Sequence, residues 1–126
     1  MSIKEIQSLI DGYHYWDAFV ISLKCDYFAD EIELIYDNDD DSVVIYKFDG
    51  CYKSLFEHEK TYEKEHPVKK MSFRQLPYSM QDVEVGEILE QEVHFYTCKI
   101  NMWPLALEIW CKNIKITKQN KNECKD

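Results

Sequence analysis

The chain is short of glycine and proline, with three of each among 126 residues. That scarcity excludes collagen-like repeats, flexible linkers and the low-complexity compositions that stay unfolded. It also leaves no Gly-rich run to cradle a phosphate. Long apolar runs are missing, so nothing approaches the roughly 20 residues that a bilayer-spanning helix needs. The opening Met-Ser-Ile-Lys-Glu-Ile interrupts its apolar residues with charges and does not read as a signal peptide. Basic charge is in deficit: 15 Lys and Arg face 24 Asp and Glu, for a net charge of −9. A nucleic-acid binder needs a basic footprint, and an anionic membrane repels an acidic surface, so neither partner is expected. The cysteines, Cys25, Cys51, Cys98, Cys111 and Cys124, are odd in number and form no CxxC pair. This points to a reducing compartment, the cytoplasm, without a disulfide framework.

What is present is an ordinary globular composition, 45% hydrophobic and 31% charged. The length suits one domain with a core of its own. The stretch Leu105–Thr117 organises the rest. Leu105, Leu107, Ile109 and Cys111 alternate with Ala106, Glu108, Trp110 and Lys112, the period-two signature of a half-buried strand. The apolar series then resumes on even numbers at Ile114 and Ile116. A slip of one residue turns every side chain over, so a bulge near Lys112–Asn113, or a bend passing the strand elsewhere, is expected.

Earlier segments supply its partners. Ser2 with Glu5 fits a capping box for a short helix over 2–11, whose Ile3, Ile6 and Ile10 share a face and whose end Gly12 can provide. Phe19, Ile21, Leu23 and Cys25 alternate, then Ile32, Leu34 and Tyr36, then Val44, Tyr46 and Phe48, as in an antiparallel meander. Gly50 marks a bulge or a bend, and Cys51, Leu55 and Phe56 extend the strand past it. Residues 57–72 are charged and nearly free of core residues, an exposed loop. Val83 with Val85, and Val93 to Met102, read as further strands. The expected fold is α+β: a predominantly antiparallel sheet of about six strands with the N-terminal helix packed on one face. A single globular domain spans 1–118, and 119–126 is expected to be a disordered tail.

No catalytic motif stands out. Cys51, after Asp49-Gly50, is the one thiol in a turn-like context, and a nucleophile would need a base beside it. Asp37, Asp39 and Asp41 have the one-three-five spacing of a calcium loop, but Ser42 stands where its Gly belongs and Phe48 where its Glu belongs. The histidines lack metal-ligand spacing. No enzyme, metal or cofactor is expected. The run from Asp26 to Asp41 is different: Asp26, Asp30, Glu31, Glu33, Asp37, Asp39, Asp40 and Asp41 occur with no Lys or Arg among them. In a meander these acids would crowd one edge and form a docking patch for a basic protein; the plainer alternative is a solvated hairpin end. Trp110 lies on the polar face of the last strand, where it anchors an interface or packs under the helix or the 57–72 loop.

The layout, taken together, resembles a known family. A Trp-Asp-Ala-Phe lead into the first strand and an acidic hairpin follow the helix. Then come Val-Val-Ile-Tyr-Lys-Phe-Asp-Gly-Cys and a terminal Leu-Glu-Ile-Trp-Cys-Lys-Asn-Ile-Lys-Ile. This resembles small acidic bacterial immunity proteins of polymorphic toxin and contact-dependent growth-inhibition systems. The resemblance implies a non-catalytic protein that binds one cognate toxin domain and blocks its active site or substrate surface. Many such toxins are basic nucleases, which suits an acidic inhibitor. A small-ligand-binding or scaffold domain is the alternative.

Overall fold

The computed structural model describes residues 2–122. Its helix, α1 (Ile3–Gly12), begins as the sequence pattern predicts. The Ser2 hydroxyl accepts from the Glu5 amide at 3.2 Å, and the Ser2 amide donates to the Glu5 carboxylate at 3.5 Å. Ile6 and Ile10 are buried, worth about 1.5–3 kcal/mol each by area. The left-handed residue that turns the chain away is His14, with φ 51°, not Gly12.

Eight strands follow: β1 (Val20–Asp26), β2 (Glu31–Asp37), β3 (Ser42–Asp49), β4 (Lys53–His58), β5 (Asp82–Glu90), β6 (Val93–Met102), β7 (Leu105–Cys111) and β8 (Asn113–Asn120). They form two antiparallel sheets, ordered β1-β2-β3-β8 and β4-β7-β6-β5. The α+β class holds, but the expected single sheet of about six strands is corrected to eight strands in two sheets. The two additional strands have one cause. Both long runs identified in the sequence turn a corner and change sheet midway, β3 into β4 at Gly50 and β7 into β8 at Lys112.

These corners lie side by side. Asp49 pairs with Asn113 before the corner and Lys53 with Trp110 after it. Three residues on one strand therefore oppose two on the other, a bulge that sharpens the bend. The Lys112 amide donates to the carbonyls of Asp49, at 3.1 Å, and Gly50, at 3.2 Å. Gly50 has φ 63°, and a Cβ there would meet Lys112 Cβ and Cγ at 3.1 Å. Its lack of a side chain allows both the left-handed turn and the close approach.

The core fills the space between the sheets. Ile32, Leu34, Tyr36, Val44, Tyr46, Phe48, Ile114 and Ile116 come from the first sheet, and Cys98, Ile100, Met102, Leu107, Ile109 and Cys111 from the second. The helix does not lie on one sheet face as expected. It bridges β5 and β8, strands of different sheets. Gln7 fastens it, donating to the Val83 carbonyl at 3.0 Å and accepting from the Val85 amide at 2.8 Å. Its amide thus meets the free edge of β5 much as a neighbouring strand would.

The inward face of β1 also differs from expectation. A register shift between Val20 and Ser22 turns Val20 into the core and leaves Phe19 and Cys25 exposed. Strand β8 runs past the expected boundary at 118, because Gln119 and Asn120 pair with Val43 and Ser42. Lys121 and Asn122 form a turn after it, and 123–126, with Cys124, lie outside the described residues.

Candidate functional site

The acids between Asp26 and Asp41 do not crowd one edge. Strand β2 runs between them, and its seven residues, at about 3.3 Å each, hold Glu31 and Asp37 about 20 Å apart. Asp26, Asp30 and Glu31 collect at one end of the first sheet. Asp37, Asp39, Asp40 and Asp41 collect at the other. Glu33 lies between, paired across the sheet with Lys24 and Lys47.

At the far end, the β2–β3 turn uses its acids internally. The Asp39 carboxylate accepts from the Ser42 hydroxyl at 2.7 Å and the Asp41 amide at 2.9 Å. The Ser42 hydroxyl, with the Asp41 amide behind it, holds the Asp39 carboxyl below its ordinary value. Asp37 pairs with Lys121 at 2.8 Å. That bond raises the Lys121 ammonium, and the charges of Asp40 and Asp39 add to it. Asp40 and Asp41 are exposed.

The near end is built otherwise. Asp26, Glu31, Asp49 and Asn113 are paired in one row across β1, β2, β3 and β8, which places carboxylates side by side. Lys47 reaches Glu31 at 3.4 Å, and this contact raises the Lys47 ammonium. The β1–β2 turn stands over the row. Tyr27, Phe28 and Ala29 have φ of 53°, 59° and 68°, three successive left-handed residues without a glycine. Each lies roughly 1–2 kcal/mol above a right-handed alternative. The turn presents Phe28 fully to solvent, at 108% exposure, and Tyr27 at 73%.

The paired corners carry this end into the second sheet. The Cys51 amide donates to the Asp30 carbonyl at 3.0 Å, and the next residue, Tyr52, donates to the Trp110 carbonyl at 2.8 Å. Trp110 therefore lies just across the bend from the acid row. It is half-buried, covered by Tyr52 and Lys53 rather than by the helix or the 57–72 loop. Tyr52 stacks between Phe95, with centroids at 4.8 Å, and Trp110, at 6.3 Å. Lys53 sits 4.6 Å over the Trp110 ring and Lys112 4.5 Å over the Phe95 ring. The Trp110 indole donates to Glu108 at 2.9 Å.

The structure thus brings Asp26, Asp30, Glu31 and Trp110 to one corner and separates Asp37, Asp39, Asp40 and Asp41 from it. Sequence reasoning missed Phe28, Asp49, Tyr52 and Lys53. The available signal was an aromatic pair, Tyr27-Phe28, in a turn where Gly or Asn is usual.

Cys51 turns its thiol to the Phe48 carbonyl at 3.5 Å. Burial first, then the charges of Asp30 and Asp49, push that thiol up to about 11, away from the thiolate that nucleophilic chemistry needs. Among the described residues, no group of His, Cys, Asp and Glu is placed to hold a metal ion. None of the described helices is long and apolar enough to cross a membrane. An apolar cavity of about 240 Å³ lies between β1 and the loop after β4, lined by Ile21, Leu23, Val68, Leu76 and Met102. Small-molecule sites usually occupy about 300–1,000 Å³, and this cavity falls below that range.

A family model described as Immunity protein PIM7 matches residues 2–118. No curated protein matches the chain.

Proposed function

The chain belongs to the Immunity protein PIM7 family, and from that premise we propose that it neutralises a cognate basic toxin domain, of nuclease type, by direct stoichiometric binding through the corner surface. The bound protein covers the toxin's active site or substrate surface, and this chain performs no chemistry. The reading places the encounter in the cytoplasm of a bacterium that takes part in contact-dependent growth inhibition. One observation carries the choice of surface: Phe28 and Tyr27 stand exposed on left-handed backbone above the Asp26–Glu31–Asp49 row. Exposed rings of this kind form the anchors of protein interfaces. Adjacent carboxylates repel one another, and a cationic partner relieves that repulsion on docking.

Co-expression with the toxin domain encoded beside this chain, scored by growth, tests the reading. Protection by the parent chain is expected. In purified form, a triple variant, Asp26→Asn with Glu31→Gln and Asp49→Asn, should associate more slowly and show a shallower salt dependence of its on-rate. An unchanged rate and salt slope would rule out the corner.

A further inference from the structure

Past the Tyr52–Trp110 stack, the outer face of the second sheet sinks into a groove of about 600 Å³. The strand register lays its floor in two rows. Leu55, Glu108, Lys99 and Glu84 form one, and Glu57, Ala106, Asn101 and Asp82 the other. Ala106 supplies the depth, because its small side chain sits between longer ones. Trp103 and Pro104, from the turn between β6 and β7, make one wall. The indole of Trp103 is 48% exposed, and Tyr62 meets it edge-to-face at 5.1 Å.

Charge identifies the occupant. Lys99 stands between Glu84 and Glu108, which offset it. Among the described residues lining the groove, the remaining cation is Lys60, set against Glu57, Glu59 and Asp82. These carboxylates are spread along rows instead of converging on a point, which suits an extended cation and not a metal ion. A second copy of this chain, at −9, has the wrong sign. We infer that the groove seats an arginine-bearing extended loop of the partner protein. Four strands at about 4.8 Å spacing give a width of about 15 Å, the span of four or five extended residues. A guanidinium stacks on an exposed indole while its N–H fork reaches carboxylates, which an ammonium cannot match. The inference rests on the proposal that this chain binds a basic toxin, and it adds where a loop of that toxin sits.

Titration of the isotope-labelled chain with a hexa-arginine peptide, followed by amide NMR, tests it. Shifts are expected at Asn101, Ala106 and the Trp103 indole. The Glu57→Gln/Asp82→Asn variant, with a spectrum dispersed like the parent's, should bind about tenfold more weakly, two exposed charge pairs being worth roughly 1.4 kcal/mol together. Shifts confined to the corner, equal binding of hexa-lysine or spermine, or self-association that buries the groove would each overturn the assignment. Growth protection is scored separately. Its absence sinks the toxin reading, whereas protection without groove shifts sinks only the seat.

Discussion

The turns at the two ends of β2 are both acidic, yet their carboxylates have different employment. In the β2–β3 turn, Asp39 closes the hairpin through Ser42 and Asp41, and Asp37 is held by Lys121. In the β1–β2 turn, no side-chain bond from Asp26 or Asp30 holds the backbone among the described contacts. The chain there adopts three left-handed residues instead, and Phe28 and Tyr27 are pushed outward. One turn spends its polar groups on its own geometry. The other leaves them to solvent, beside rings with nothing to pack on. A count of acids cannot separate these cases, because the distinction lies in which oxygen meets which amide.

Three substitutions put pressure on that contrast. The largest effect is expected from Phe28→Ala. If the first turn is an anchor, toxin affinity falls by about 2 kcal/mol or more, some 30-fold, while the thermal midpoint stays put because the ring is exposed. Calorimetric titration beside a melt reads both; equal affinity would remove Phe28 from the interface. Next is Asp39→Ala, which should lower the denaturant midpoint and leave toxin affinity alone. Its effect depends on pH with a defined sign. The Asp39 carboxyl is depressed from its ordinary 3.8, so its contribution is complete above that value and is lost as pH falls through the lower folded value. Parent and variant melts should differ at neutral pH and converge in acid; a gap that widened in acid would contradict the assigned role. The smallest effect belongs to Ala29→Gly. Relief of one left-handed alanine should stabilise the fold by about 0.5–1 kcal/mol, after the entropy cost of glycine, seen as a raised midpoint at unchanged m-value. A loss of stability would mean that the turn is held by contacts and not by strained backbone.

Much of the architecture was legible in the residues. The Ser2–Glu5 capping box, the alternation of Ile32, Leu34 and Tyr36, and the phase slip after Cys111 each became the structure they implied. The slip offered two outcomes, a bulge or a change of place. The fold contains both, with the extra residue on the partner strand around Gly50. That partner was invisible because pairing is a long-range property: Gly50 and Lys112 lie 62 residues apart and nothing local links them. The inward face of β1 was misread for a related reason. Its register shift at Val20–Ser22 is imposed by β2 and by the segment that bonds Val20 to Tyr78. Trp110 was correctly placed on the polar face, but its cover, Tyr52 and Lys53, comes from the corner and the start of β4, which the sequence did not separate from β3.

The side-by-side corners have a further consequence for how the molecule comes apart. Two continuous strands are each shared between the sheets, so fraying of one sheet drags on the ladder of the other. Amide protection in both should therefore rise and fall as a single cooperative unit. A partner gripping only the bend would be felt at the far ends of both ladders.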